Sequence, residues 1–472
     1  MKQALHIFGK DVFYLWREIL LVLALAALFV YVETRGGIVD NPFGMLLIPA
    51  SCWLIARLIQ AEALPGDKQY WVTRPYSWKS LLGSKLLFIA AFVSLPILFV
   101  QLAIVIASGF PFWNSLPGLL WTQVLFWFCM SLPLAALSAT IAGIVPLILT
   151  IFVLFVATVG PLFVLPFGYD LGTLLGPFEW VKDAVLVFAV AAAATLVLRA
   201  QYRMRATLFS RIFLAAGGAV AAIAYIYLPL PLAFAVQSSI SQQRFDGSSL
   251  RAGLAEAPFR QSQYLQDLVR VRIPISVDGV PPGIDVQTDA VRMQFQWPDG
   301  RVWKSSPREM VGLQKRAVEG NVFDGVMVLS RALSDAERNR PVTLRGAVYL
   351  TLFGNARSRT VAVKKKPVNV MDGIQCFMVT LPGTEFLCRS IFHWPSGVVS
   401  AKFSENDLRR FRQAISYSPF PAGLSLGPIE THSTEGTPTL DREVAIIIKE
   451  PIAHIRRDFE VHGVRILDFA PL

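Results

Sequence analysis

The sequence predicts a polytopic α-helical membrane domain followed by a β-rich, sandwich-like extracytoplasmic domain. Three observations carry this expectation. No charged side chain occurs from Leu86 to Tyr169, where Ser, Thr, Gln and Asn are the only polar relief. The composition divides along the chain: residues 1–236 hold 14 of the 44 Lys and Arg and 9 of the 33 Asp and Glu. After residue 268, apolar side chains begin to alternate with polar ones at the period of a strand. A hydrocarbon core about 30 Å thick takes about 20 apolar helical residues per crossing, so the charge-free stretch holds three crossings. Each must be a helix, because backbone in lipid has to satisfy its own hydrogen bonds.

The elements follow in order. In residues 1–18, Leu5, Phe8, Val12 and Leu15 recur at spacings of three and four, with Lys10 and Asp11 between them and Lys2 ahead. That pattern predicts an amphipathic cytoplasmic interfacial helix. Residues 19–236 read as about seven crossings: Ile19 to Val32, Gly44 to Ala56 continuing toward Ala63, three in the charge-free run, Ala184 to Leu198, and Ile212 to Val236. The breaks within the run fall at Gly109 to Pro117 and at Thr140 to Gly143. No small-x-small cleavage site in a polar region follows the first apolar segment, so it reads as a retained signal-anchor.

Orientation follows from the Lys and Arg. With the N-terminus inside, the cytoplasmic segments hold Lys2, Lys10, Arg17, Arg57, Lys68, Arg74, Lys79, Lys85, Arg199, Arg203, Arg205 and Arg211. The outer loops hold Arg35 and Lys182. This positive-inside asymmetry predicts a multi-pass protein of the inner or plasma membrane with its C-terminal region outside.

Residues 237–267 read as a polar stretch, either helical or a stalk, and residues 268–472 as one or two β-sandwiches. Val269, Val271, Ile273, Ile275 and Val277 alternate with polar neighbours; Val291, Met293, Phe295 and Trp297 do the same, and Pro298-Asp299-Gly300 closes a hairpin. Val342 to Leu352 and Val444 to Ile448 continue the pattern, while Asp335 to Arg340 and Glu405 to Ser416 read as short helices. Cys376 and Cys388 flank the turn signal Pro382-Gly383, so a hairpin would set them opposite each other as a disulfide in an oxidising compartment. Cys52 and Cys129, in crossings, read as small apolar residues.

No catalytic set is visible. His393, His432, His454 and His462 form no strong metal-ligand spacing. Glu18, Glu33, Arg57 and Glu62 sit at helix ends and the central helices carry no ionisable group, which argues against proton-coupled transport. Gln101 and Gln123 read as an interhelical hydrogen bond rather than a polar path. Lys364 to Lys366 reads as a solvated strand end. With no catalytic set, the chain is expected to be no enzyme, to bind no cofactor and to contact no nucleic acid; there is no phosphate-loop motif, so any ATP hydrolysis would lie in a partner.

The most specific segment precedes the charge-free run, at residues 63–85. Pro65-Gly66 breaks the second crossing as it emerges, Pro75 ends an extended piece, and Ser77 is placed to cap a helix carrying Lys79 and Lys85. Glu62, then Arg74-Pro75-Tyr76-Ser77, then Leu81-Leu82-Gly83-Ser84-Lys85 resemble the permease subunits of type-2 ATP-binding-cassette exporters over roughly residues 1–200. In that family an acidic residue near the end of the second helix precedes a cytoplasmic coupling segment, and a connecting helix precedes the first crossing. The resemblance implies a homodimer or heterodimer of permeases in the bilayer, driven by a separate ATPase subunit. It assigns the coupling role to Glu62, Trp71, Arg74, Tyr76, Ser77, Trp78, Lys79 and Lys85. The seventh crossing and the large outer domain depart from the simple family pattern. The alternative is a non-transporting membrane anchor that displays its β-domain for binding or assembly.

Overall fold

The computed structural model describes residues 2–36, 42–61, 77–164, 179–241, 245–256, 263–265, 268–304, 322–364, 367–371, 374–379, 385–391, 398–404, 407–410, 412–413, 429–435 and 443–469. A helical N-terminal part is followed by a β-rich C-terminal part.

The helices are α1 (Lys2–Tyr14), α2 (Trp16–Gly36), α3 (Pro42–Gln60), α4 (Trp78–Ile89), α5 (Leu95–Ala107), α6 (Phe112–Phe126), α7 (Leu132–Thr140), α8 (Ile144–Val164), α9 (Glu179–Met204), α10 (Thr207–Tyr227) and α11 (Leu230–Ser239). Among the described residues, four continuous helical stretches are long and apolar enough to cross a bilayer: Trp78–Ala107, Phe112–Thr140, Val181–Met204 and Thr207–Ala224. The pair α1 and α2, bent by 75° at buried Leu15, makes a fifth if counted as one. Leu46–Gln60 and Ile144–Leu154 are shorter apolar helices. On α2, Ile19, Val22, Ala26 and Phe29 are buried at helical spacing, while Leu20, Leu21, Leu23 and Leu28 on the other faces are exposed. A helix apolar on both its packed and its open faces suits lipid better than water.

Two of the long stretches continue through prolines. A wide π-helical turn, Ala90–Ser94, joins α4 to α5 just ahead of Pro96, and another, Trp127–Ser131, joins α6 to α7 just ahead of Pro133. Proline lacks an N–H and clashes with the carbonyl four residues earlier. The extra residue in each wide turn moves that carbonyl aside, so the helix runs on. Both turns end on the serine of a Ser-Leu-Pro sequence.

The last apolar segment differs from its expected form. Ile212 to Val236 reads as one crossing, but Leu228-Pro229 interrupts it, and α11 starts anew at Leu230. Leu230, Ala233 and Phe234 of α11 pack with Val181 of α9 against Ala290, Ala347 and Tyr349 of the β-rich part.

That part holds β1 (Arg251–Leu254), β2 (Gln263–Leu265), β3 (Leu268–Asp278), β4 (Asp285–Gln296), β5 (Val302–Lys304), β6 (Val322–Ser330), a short helix α12 (Arg331–Glu337), β7 (Val342–Ala362), β8 (Val368–Met371), β9 (Ile374–Val379), β10 (Glu385–Ile391), β11 (Val398–Ser404), β12 (Asp407–Arg410), β13 (Arg412–Gln413), β14 (Ile429–Glu435) and β15 (Glu443–Val464). Among the described residues these make three sheets. In the first, β3 pairs with β1, β2 and β6; the second runs β13-β14-β10-β9-β8; the third runs β12-β11-β15-β7-β4-β5. The long antiparallel pair β7 and β15, from Glu443 opposite Ala362 to Val464 opposite Val342, is the spine. One end shares an apolar core with β3 and β4, and the β15 end near Val444, Ile446 and Ile448 shares another with Val370, Cys376, Phe386 and Cys388.

The alternating side chains of β3, Val269, Val271, Ile273, Ile275 and Val277, are all fully buried. Pro298-Asp299-Gly300 turns β4 into β5, closed by Trp297 N–H to the Arg301 carbonyl at 3.0 Å, with Gly300 at φ +86°. Two expectations are corrected. Within residues 237–267, Gln237 to Ser239 close α11, and β1 and β2 pair with β3 rather than forming a free stalk. Within Glu405 to Ser416, the described residues form β12 and β13, because Ser400 to Lys402 of β11 offer an open edge that Leu408 to Arg410 complete. The Asp335 to Arg340 helix lies earlier, as α12, where Ser330 caps by accepting from Leu333 N–H.

Candidate functional site

The start of α4 is where the sequence places its most specific features. Glu62, Trp71, Arg74 and Tyr76 lie outside the described residues, as does the Pro382-Gly383 turn. Ser77, Trp78, Lys79 and Lys85 fall together around the first turns of α4. Ser77 caps the helix: its hydroxyl accepts from Ser80 N–H at 3.1 Å, and its own N–H donates to Gln3 Oε1 at 3.5 Å. The indole of Trp78 packs on the helical core, and the Lys79 ammonium lies 5.8 Å from that ring while staying exposed.

Lys85 points the other way. Its side chain is fully buried, and Nζ donates to Asp11 Oδ2 of α1 at 2.9 Å. Asp11 lies in line with buried Ile7 and Leu15, four residues to either side, so it sits on the packed face of α1. The expected apolar stripe is corrected accordingly: Leu5 is 52 % exposed, and the packed face is Ile7, Phe8, Asp11, Val12 and Leu15. Around the pair, Phe8 stacks on Phe92 at 5.8 Å and meets Phe88 edge-on at 6.1 Å. Lys85 is therefore a tie between two helices, and among the described residues here Ser77 and Lys79 are the exposed ones. The signal in the sequence was an aspartate at the apolar spacing of α1, which calls for a buried cation.

Other polar contacts gather at the same face of the helical part. Arg57 Nε meets Glu18 Oε1 at 3.6 Å, and the guanidinium lies 6.0 Å from the Tyr14 ring. Gln60 Nε2 donates to the Ile141 and Gly143 carbonyls at 3.3 and 3.0 Å, and Arg211 Nε donates to the Thr140 carbonyl at 3.2 Å. These donors satisfy carbonyls left open where α7 ends and α8 begins. One face thus carries the ends of α3, α7 and α9 and the starts of α2, α4 and α10.

The β-rich part meets the opposite face. The stretch Trp78–Ala107 has 30 residues, about 45 Å at 1.5 Å per residue. Just past its far end, the Ser108 carbonyl accepts from Gln375 Nε2 of β9 at 2.7 Å. Between the faces, Gln123 Nε2 donates to Gln101 Oε1 at 3.0 Å and Thr122 Oγ1 joins at 3.3 Å, the interhelical bond that the two glutamines suggest. Cys52 and Cys129 pack against the helical core. Cys376 and Cys388 stand opposite each other on β9 and β10 and form a disulfide. Among the described residues no group of three or more His, Cys, Asp and Glu could hold a metal ion.

No family model matches the sequence, and no curated protein matches it. Among solved structures, a tryptic core variant of Cry1Da from Bacillus thuringiensis is similar at 10 % identity, with 94 % of this chain and 98 % of that chain covered and a TM-score of 0.17. A likeness of that size carries no argument about fold or function.

Proposed function

We propose that the chain is the permease subunit of an exporter driven by a separate ATP-binding-cassette ATPase. In this reading the helical part spans the inner or plasma membrane about seven times, with the N-terminus in the cytoplasm. The shorter helices α3 and α8 complete the count. The β-rich part then stands outside as a sandwich-like domain, and two permeases pair in the bilayer. The observation that carries the reading is the Asp11 to Lys85 tie. It joins the interfacial helix α1 to the base of a 30-residue helical stretch, so a push on the segment before α4 moves a long lever rather than a loop. The sequence of Leu86 to Tyr169 holds no charge that could relay protons, so the work has to enter from that base.

In this mechanism the ATPase docks on Trp71, Arg74, Tyr76, Trp78 and Lys79. Its ATP-driven closure turns α4 with α1 as one body, and the α5 to α6 turn at Ser108 transmits the movement outward. Purification of the tagged chain from its native membrane tests the docking. A nucleotide-binding subunit co-purifies with the parent chain and is lost from the double variant Arg74→Ala, Trp78→Ala. The chain recovered intact without an ATPase contradicts the proposal.

A second reading, a non-transporting anchor for the β-rich part, is favoured by one observation. That part docks on the helical part at both Gln375 and α11. If the anchor reading holds, the β-rich part keeps its partner after the helical half is exchanged for an unrelated anchor.

A further inference from the structure

The junction between α11 and the six-stranded sheet holds a chain of polar side chains that neither reading above uses. Thr351 Oγ1, on buried Thr351 of β7, lies 2.5 Å from Asp289 Oδ2 of β4 and 2.8 Å from His454 Nδ1 of β15. Gln237 of α11 brings Nε2 to 3.2 and 3.4 Å from the two ring nitrogens of His454. The His454 backbone N–H donates to Ser241 Oγ at 3.2 Å, just past α11. Three strands and the last helix therefore meet through one hydroxyl and one imidazole.

A hydroxyl has one proton and points it one way. When Asp289 is ionised, Thr351 donates to Oδ2. The Thr351 oxygen then accepts from Nδ1–H of His454, which leaves Nε2 bare. When Asp289 is protonated, its O–H donates to Thr351 Oγ1, and Thr351 donates to a bare Nδ1. The ring proton then sits on Nε2.

We propose that Asp289, Thr351 and His454 form a proton-linked latch across three strands, beside Gln237 of α11. Protonation of Asp289 reverses the hydrogen bonds through Thr351 and exchanges the tautomer of His454. The step takes up one proton in total. One proton binds Oδ2 from solvent, the Thr351 hydroxyl turns, and the ring proton leaves Nδ1 as another binds Nε2. The imidazole stays neutral throughout. Burial supports the same order of events: it raises the Asp289 carboxyl to about 7 and lowers His454 to about 4.

The neighbouring charges leave the latch to Asp289. On β7, Tyr349 faces Arg456 of β15, whose guanidinium is 5.9 Å from the ring and paired with Asp458 at 2.7 Å. On β4, Asp285 is paired with Lys449 at 2.8 Å. α11 carries no titratable side chain; Lys182 and Asp183 lie at the start of α9, next to Val181. Asp246 and Arg251 lie on the turn and strand that meet the opposite face of β15, at Ile455 and Arg457.

The test is nitrogen NMR of the full chain, labelled at histidine and held in lipid nanodiscs, from about pH 5 to about pH 9. His454 is expected to carry its proton on Nε2 at the acid end and on Nδ1 at the alkaline end, with a midpoint near 7. In Asp289→Asn the side chain no longer titrates, so His454 keeps one tautomer throughout. Thr351→Ser keeps the exchange and Thr351→Val abolishes it, which preserves the comparison should Asp289→Asn fail to fold. One tautomer across the whole range in the parent overturns the proposal. So does an unchanged midpoint in Thr351→Val.

Discussion

At the residue scale, the Asp11 to Lys85 pair and the Asp289 to His454 chain make separate demands on their surroundings. A buried ion pair gains little over well-packed apolar residues, yet losing one partner strands a charge and costs about 3–5 kcal/mol. Lys85→Ala and Asp11→Ala are each expected to lower the unfolding midpoint in nanodiscs strongly. The double variant Asp11→Leu, Lys85→Met should recover most of that loss; additive losses would contradict the pairing. The second cluster gives a pH dependence with a definite sign. Asp289 is held near 7 against an ordinary 3.8, so its contribution to stability is complete below about pH 3.8 and is lost as pH rises through about 7. His454 is held near 4 against 6.5, so its contribution is complete above about pH 6.5 and is lost as pH falls through about 4. Between about pH 4 and 6.5 the two slopes oppose each other. Replacing Asp289 by Asn removes the first slope, so the stability of the variant relative to the parent grows as pH rises from about 4 to about 7. A constant difference across that window, measured by chemical unfolding, would contradict the assignment.

At the scale of elements, α9 and α10 approach closely enough for one glycine to matter. A Cβ built on Gly217 of α10 runs into Ala193 Cβ of α9, whereas nothing lies within 4 Å of one on the adjacent Gly218. Small residues let helices in lipid bring their backbones together. Gly217→Ala is expected to cost about 1–3 kcal/mol by overpacking. Gly218→Ala should be neutral, or stabilising by about 0.5–1 kcal/mol through helix propensity. Equal effects of the two would mean that α9 and α10 do not pack as described. The same scale shows which elements the sequence makes legible. The period-2 run of β3 is plain because every alternate side chain enters one core. The strands β12 and β13 are hidden, since Asp407, Arg409, Arg410 and Arg412 carry no apolar alternation and take strand form from the open edge of β11 and from β14. The packed face of α1 is misplaced by one residue class. An aspartate reads as solvent-facing until its lysine, 74 residues away, is brought beside it. The Asp289, Thr351 and His454 chain was invisible for the same reason: three strands far apart in sequence supply it.

At the scale of the whole molecule, the two faces of the helical part are differently furnished. One gathers the Arg57, Gln60, Lys79 and Arg211 side chains at helix ends; the other receives the β-rich part through Ser108, Val181 and α11. The stretch Trp78–Ala107 links the two faces without a charge after Lys85. In the proposed exporter, the base of α4 is the place where work enters and the β-rich part the place where it is felt. The most direct measurement is the composition of the complex purified from the native membrane, with its ATP hydrolysis. The account predicts a stoichiometric nucleotide-binding subunit and ATP turnover, both lost together in the Arg74→Ala, Trp78→Ala chain. A folded, membrane-extracted chain that carries no such subunit and hydrolyses no ATP would contradict it.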